Sequence, residues 1–361
     1  MKHSELRHQP RHVNPRIQET RNEIVDIAKG IAIYLVVVGH LQFSSYNAST
    51  VLIASCHMPV FFFLSGIFFR KSYDKYTATQ FIYNKIKTLL VPYIVWSAVA
   101  FVVNAVLMMK RGQTDELLIE AYDIFINARS VWFLIGLFLT SVVVYIIYYV
   151  TGNNHILSPI ICVIAWGLLL LCGRIETFSI YKIQWLLPYY LMGIIASYQG
   201  RVFSLFERIS NQRVFKRLLL TIVSAIAYVL CVFKICRVDL FYEYYVKFDL
   251  DANHTVYYLL FYVIGVIGIF VVLETAGILA HIPRLKDMVK NLGLYSLDVY
   301  VIHMFLVKVL CVFLESNQMP NWTKTQFALA IYAFILTGIL TVTIKKVLRR
   351  NRLYCVTLGE K

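Results

Sequence analysis

Charge is scarce in this chain. Asp, Glu, Lys and Arg make up only 15% of its 361 residues, against roughly 25% in soluble domains. Apolar residues reach 59% and the mean hydropathy is +0.66. Length alone would suggest two soluble domains, but a chain this apolar needs a solvent other than water for most of its surface. Metal-ligand spacing is missing too. The seven cysteines form no C-x2-C pair and no cluster with histidine, so neither a zinc site, another metal centre nor a disulfide framework is expected. Six of them (Cys56, Cys162, Cys172, Cys231, Cys236 and Cys311) fall inside apolar segments and read as small apolar side chains. The chain shows no internal repeat and no low-complexity tract. A cleavable signal peptide is not expected either: residues 1–23 are polar and basic, and the apolar run after them is too long for a signal core.

What the sequence does have is long apolar runs. About 20 apolar residues are needed to cross the hydrocarbon of a bilayer as a helix. Such runs occur near 24–43, 50–69, 88–109, 131–150, 156–173, 183–199, 218–236, 255–278, 294–314 and 326–344. The fold class expected is therefore all-α, a polytopic integral membrane bundle of about ten transmembrane helices. Prolines at 59, 92, 159 and 188 are tolerable in such helices, because neighbours can satisfy the freed carbonyls.

The net charge of +15 raises the question of nucleic acid, but a nucleic-acid footprint is a contiguous basic face. Here the basic residues punctuate apolar runs, so no nucleic-acid partner is expected. Their distribution orients the bundle instead. The two tails and the even-numbered connections hold 24 lysines and arginines, and the odd-numbered connections hold roughly a third as many, which by the positive-inside rule puts both termini in the cytoplasm. Three regions follow: a cytoplasmic basic tail over 1–23, one membrane domain over 24–344, and a cytoplasmic basic tail over 345–361. Among the outer connections, Glu116–Ile126 alternates acidic and apolar faces at helical spacing, as a helix lying on the surface does. A second outer loop is expected near 237–254.

Ionisable groups inside such spans are costly, which makes them site candidates. The first span carries Asp26, Lys29 and His40. Lys29 and His40 are eleven residues apart, so they differ by only about 20° around the helix and by about 16 Å along it. Asp26, three residues before Lys29, can pair with it on the same side. Alone, Lys29 reads equally as a snorkelling cation and Asp26 as a helix-start residue favoured by the dipole. Neither account reaches His40, deep on the same stripe and next to Gly39. The second span carries His57 beside Pro59, toward the same outer half as His40, and the ninth carries Asp298, Tyr300 and His303. Trp132 opens the fourth span, where it reads as an interfacial anchor or as the lining of a sugar-binding mouth.

These residues resemble a known family. Asp26-x-x-Lys29-Gly30-Ile31-Ala32 followed by Val36-Val37-Val38-Gly39-His40 resembles the first helix of the membrane acyltransferase family 3, which carries an Arg or Lys, ten residues, then a His. His57-Met58-Pro59-Val60-Phe61-Phe62-Phe63-Leu64-Ser65-Gly66 resembles its second helix. Val131-Trp132-Phe133-Leu134 and Ser296-x-x-x-Tyr300-x-x-His303 resemble later landmarks. The second helix is most similar to the branch of fucose 4-O-acetylase-like and polysaccharide O-acetyltransferases.

The resemblance implies transfer of an acyl group, usually acetyl from acetyl-CoA, to a sugar hydroxyl of a cell-envelope glycan. It makes His40 the catalytic histidine and Lys29, with Asp26, the donor-side residues. His57, Trp132, Tyr300 and His303 become candidates for the acceptor side. Whether His40 acts as general base or carries the acyl group stays open at this stage. Acetyl-CoA is a passing donor, and no permanently bound cofactor is expected. The expected partners are an acyl-CoA, an envelope glycan or lipid-linked sugar, and membrane lipid, with the chain in the plasma membrane of a bacterium. Two features depart from the family pattern. The R-x-x-R motif of its first cytoplasmic loop is replaced by Arg70-Lys71 and Lys85-x-Lys87, and no esterase-like extracytoplasmic domain is fused, so a second transfer step would need another protein. The rival reading is a polysaccharide or lipid-linked sugar transporter. It is weakened by the missing internal repeat, and a membrane scaffold without chemistry leaves the Lys29–His40 stripe unexplained.

Overall fold

A computed structural model of the chain describes residues 23–41, 48–198, 214–235, 255–316 and 326–360. The tail before residue 23 and the loop expected at 237–254 lie outside the described residues. Among the described residues all regular structure is helical. In chain order the helices are α1 (Glu23–His40), α2 (Ala48–Lys75), α3 (Ala78–Lys85), α4 (Val91–Lys110), α5 (Leu117–Phe125), α6 (Trp132–Val150), α7 (Leu157–Leu171), α8 (Ile180–Ser197), α9 (Val214–Leu230), α10 (Thr255–Leu279), α11 (Pro283–Leu294), α12 (Ser296–Ser316), α13 (Gln326–Lys346) and α14 (Arg352–Thr357). A π-helical turn, Ile86–Leu90, joins α3 to α4.

Each of the ten apolar runs is helical, but fewer meet the demands of a full crossing. Among the described residues five helical stretches are long and apolar enough: Ser49–Lys75, Ala78–Lys110, Trp132–Val150, Tyr258–Leu279 and Phe327–Arg350. A sixth is added if α11 and α12, bent by 81° at Tyr295, form one broken span. The others fall short for definite reasons. Glu23, Asp26 and Lys29 load the start of α1 with charge, and α7 is only 15 residues long. Helices α2 and α8 run on through Pro59 and Pro188. The surface is apolar where lipid would touch it: Val143, Ile146 and Val150 on α6, and Ile160, Ile164, Leu168 and Leu171 on α7, all face outward. Such a belt is unfavourable in water and natural in hydrocarbon.

The core forms around α1, which packs against α2, α10, α11, α12 and α13. Eleven of its 18 residues are buried, Ile27, Ala28, Ala32, Ile33 and Val37 fully. Small residues make the approach possible, as they do between membrane helices generally. A Cβ on Gly293 of α11 would run into the carbonyl of Asp26, and one on Gly30 into the carbonyl of Val289. The same device recurs where α2 crosses α8, with Gly66 against the Tyr190 carbonyl and Gly193 against that of Phe63. At the start of α1, Glu23 is paired with Lys290 and, at 3.5 Å, with Lys286. The hydrogen bond from Lys290 holds the Glu23 carboxyl below its usual range.

The C-terminal stretch folds back at this same end. Asp298, in the first turn of α12 and fully buried, accepts two bonds from Arg349, at 3.0 and 2.6 Å, and one from the Tyr354 hydroxyl at 3.0 Å. Arg349 also pairs with Glu360. The 345–361 region, read from sequence only as a basic tail, thus ends in a strap fastened to α12. A second buried ion pair, Arg217 with Glu274 at 3.3 Å, ties α9 to α10.

Candidate active site

The far end of α1 meets the middle of α12. His40, the last residue of α1, has its ring centroid 5.1 Å from that of His303, and His303 lies 5.9 Å from the ring of Tyr300 one turn earlier. His57 of α2 lies within electrostatic reach of His40 and His303, and Lys182 of α8 within that of His40. The Lys182 ammonium sits over the Trp132 ring, 4.4 Å from its centroid. Gly39 brings the α1 backbone against α2: a Cβ there would meet Ile53 at 3.3 Å. Three histidines, a lysine, a tyrosine and a tryptophan from five helices therefore share one place.

Local bonding fixes how each ring presents itself. The Nδ1 of His303 lies 2.7 Å from the Tyr300 carbonyl and 3.1 Å from that of Val299. A carbonyl can only accept, so Nδ1 carries the proton and Nε2 keeps its lone pair. That Nε2 is buried and has no hydrogen-bond partner among the described residues. His57 repeats the arrangement, with Nδ1 2.6 Å from the Ile53 carbonyl. In both rings the basic lone pair is on Nε2. His40 differs from His303, which is only 1% exposed: its side chain borders open space although protein surrounds it.

Tyr300 has a second task. Its hydroxyl accepts the Phe133 backbone N–H at 3.2 Å, one of the donors that the first turn of α6 leaves without a helical partner. Phe61 and Phe62 of α2 pack on the Phe133 ring, with centroids 5.5 and 5.9 Å away. The Trp-Phe pair at the head of α6 is thus held by α2 and α12 together.

Among the residues singled out in the sequence, His40, His57, Trp132, Tyr300 and His303 converge. Lys29 and Asp26 do not join them. Lys29 lies at the other end of α1 with its ammonium 5.6 Å from the Phe68 ring centroid, and Asp26 is buried where α1 meets α11. Lys182 escaped the sequence reading, because a lysine just before an apolar run looks like an ordinary boundary charge. The only signal for it is its place six residues before Pro188 in a span that is otherwise apolar at its outer end.

The family model described as an acyltransferase domain matches residues 22–344. Comparison with curated proteins and with solved structures finds no match. The matched stretch contains all five converging residues and every helix from α1 to α12, and nearly all of α13. The chain belongs to the membrane acyltransferase family 3, and it is an acyltransferase.

Proposed function

We propose that the chain moves an acetyl group from acetyl-CoA to a sugar hydroxyl of an envelope glycan, in the plasma membrane, with His40 as the base. The observation that carries this reading is the open face of His40 beside two imidazoles whose tautomers are fixed by backbone carbonyls. His40 takes the proton of the acceptor hydroxyl as its oxygen attacks the thioester carbonyl. The C–O bond forms, the C–S bond breaks, and the proton passes to the departing thiolate of CoA. Nothing in this step requires a covalent acyl-enzyme, so direct transfer is the simpler of the two mechanisms. The Lys182 ammonium supplies positive charge next to the oxyanion that develops at the carbonyl.

The donor arrives from the cytoplasmic side. Lys29, about 16 Å down the helix from His40, stands on the face along which the pantetheine arm would run, and Asp26 lies behind it. The basic residues of the inner connections favour approach of a polyanion. His57, Trp132 and Tyr300 border the reacting centre on the acceptor side. A fucose 4-O-acetylase-like or polysaccharide O-acetyltransferase specificity fits this arrangement. The transporter reading gains no support, because the family is one of acyltransferases.

The test compares the mass of the envelope glycan from cells with the gene and cells without it. The expected result is a loss of one acetyl increment per modified residue on deletion, restored by the wild-type gene. An unchanged glycan mass contradicts the assignment of the acceptor, and an increment other than acetyl contradicts that of the donor.

A further inference from the structure

Beside the histidine cluster, and sharing none of its residues, lies a cavity of about 250 Å³. It is bounded by α4, α5, α12 and the segment leading into α6. Its wall holds Trp96, Asn104, Glu120, Arg129, Phe305 and Lys308. Four of these form a chain of bonds across the mouth. Lys308 donates to Asn104 at 3.4 Å, Asn104 donates to Glu120 at 2.6 Å, and Arg129 donates to the other Glu120 oxygen at 3.3 Å. Arg129 is further neutralised by Asp123 at 3.6 Å. The indole N–H of Trp96 has no acceptor among the described residues.

We infer that this cavity is the binding site for the acceptor sugar. The inference rests on the acyl-transfer reading above and adds to it where the acceptor is held. Its chemistry suits a neutral polyol more than an anion or a lipid tail. Donors and acceptors alternate around the wall and the charges largely cancel, so hydroxyl groups find both kinds of partner while a bare anion finds little net attraction. The aromatic walls of Trp96 and Phe305, 6.4 Å apart by centroid, offer faces for the C–H side of a pyranose ring. Ligand pockets begin at about 300 Å³, so the space suits one sugar unit of a longer chain. Its position suits the reaction. Val301 and Met304 line the cavity on the same turn of α12 that carries Tyr300 and His303. Lys308 lies about 7 Å further along the axis from His303, away from the end where Arg349 holds Asp298. A sugar seated there lies next to the reacting centre on the side opposite the basic tail.

The test uses purified protein in lipid nanodiscs and saturation-transfer NMR with methyl glycosides of glucose, galactose, mannose, fucose and N-acetylglucosamine. The wild-type protein is expected to transfer saturation to at least one of them. Ala100, on α4 between Trp96 and Asn104, also lines the cavity; Ala100→Trp, which fills it, should abolish the signal, and Asn104→Leu and Glu120→Gln should each weaken binding at least tenfold. Gly338→Ala, which meets nothing within 4 Å and lies outside the cavity wall, should bind as the wild type does. Retained thermal unfolding midpoints identify the variants that fold; if Ala100→Trp does not, the two polar substitutions decide. The inference is overturned if no glycoside gives a signal, or if the signal persists unchanged in the folded variants. Binding without any acetyl transfer would leave the site standing and overturn the acyl-transfer reading instead.

Discussion

His303 shows how much of a site one hydrogen bond can decide. With Nδ1 bound to carbonyls of its own helix, the ring can neither rotate without leaving its buried Nδ1–H unsatisfied nor exchange tautomers without setting a lone pair against those carbonyl oxygens. Its Nε2 stays a bare base, and the neighbouring His40 ring is held against a fixed partner. His303→Ala should therefore lower kcat by roughly 10²-fold, the size of a lost general acid–base partner, while the KM for the donor stays as it is. Steady-state kinetics on purified protein checks this, and wild-type kcat in the variant contradicts it. The residues that announce themselves in the sequence are those whose type clashes with their surroundings. A histidine in an apolar run, such as His40 or His57, is such a clash. Lys182 sits at a segment end and Glu120 in an outer connection, where polar side chains are ordinary, and Asn104 is an uncharged amide, so only the fold shows what each of them meets.

At the scale of helices, the backbone contacts of glycine set the geometry of the site. Gly293 of α11 lies against the Asp26 carbonyl, and it does so just before the 81° bend that sends α12 toward His40. A side chain there meets backbone, which cannot step aside as a flexible side chain can. Gly293→Val should abolish the monodisperse peak in detergent size-exclusion chromatography, while Gly338→Ala, which meets nothing within 4 Å, should leave it intact. The strap at the C-terminus acts on the same helix from below. Arg349→Ala would leave the buried Asp298 with Tyr354 alone. Breaking a buried pair costs about 3–5 kcal/mol, and the partial exposure of Arg349 brings the expected loss down to about 2 kcal/mol. A lower thermal midpoint that is not accompanied by a loss of donor affinity would match this role. The sequence foretells the helix over Glu116–Ile126, observed as α5, from its periodicity. It does not foretell the bend at Tyr295 or the strap, because both depend on contacts between residues far apart in the chain, such as Gly293 with Asp26 and Asp298 with Arg349.

For the whole molecule, each hydrophobic run falls on a helix, since burial in lipid imposes a length that composition reveals directly, while α3, α11 and α14 lie outside the runs. The number of complete crossings was less legible. Runs such as 24–43 and 156–173 are apolar enough to be recognised, yet α1 carries three charges at its start and α7 is short, so length and composition support five or six crossings where ten runs exist. The difference arises because helices packed in the centre of a bundle need not match the bilayer alone. Helix α1 is such a case: it packs against five others with eleven of its 18 residues buried, and it carries His40.

That residue provides the most direct measurement. Wild-type protein and His40→Ala, purified in nanodiscs to the same yield and with the same thermal midpoint, are given acetyl-CoA and envelope glycan, and free CoA and acetylated glycan are followed together. The account predicts stoichiometric release of CoA and acetylation by the wild type and none above background by His40→Ala. Acetylation by His40→Ala at the wild-type rate would contradict it.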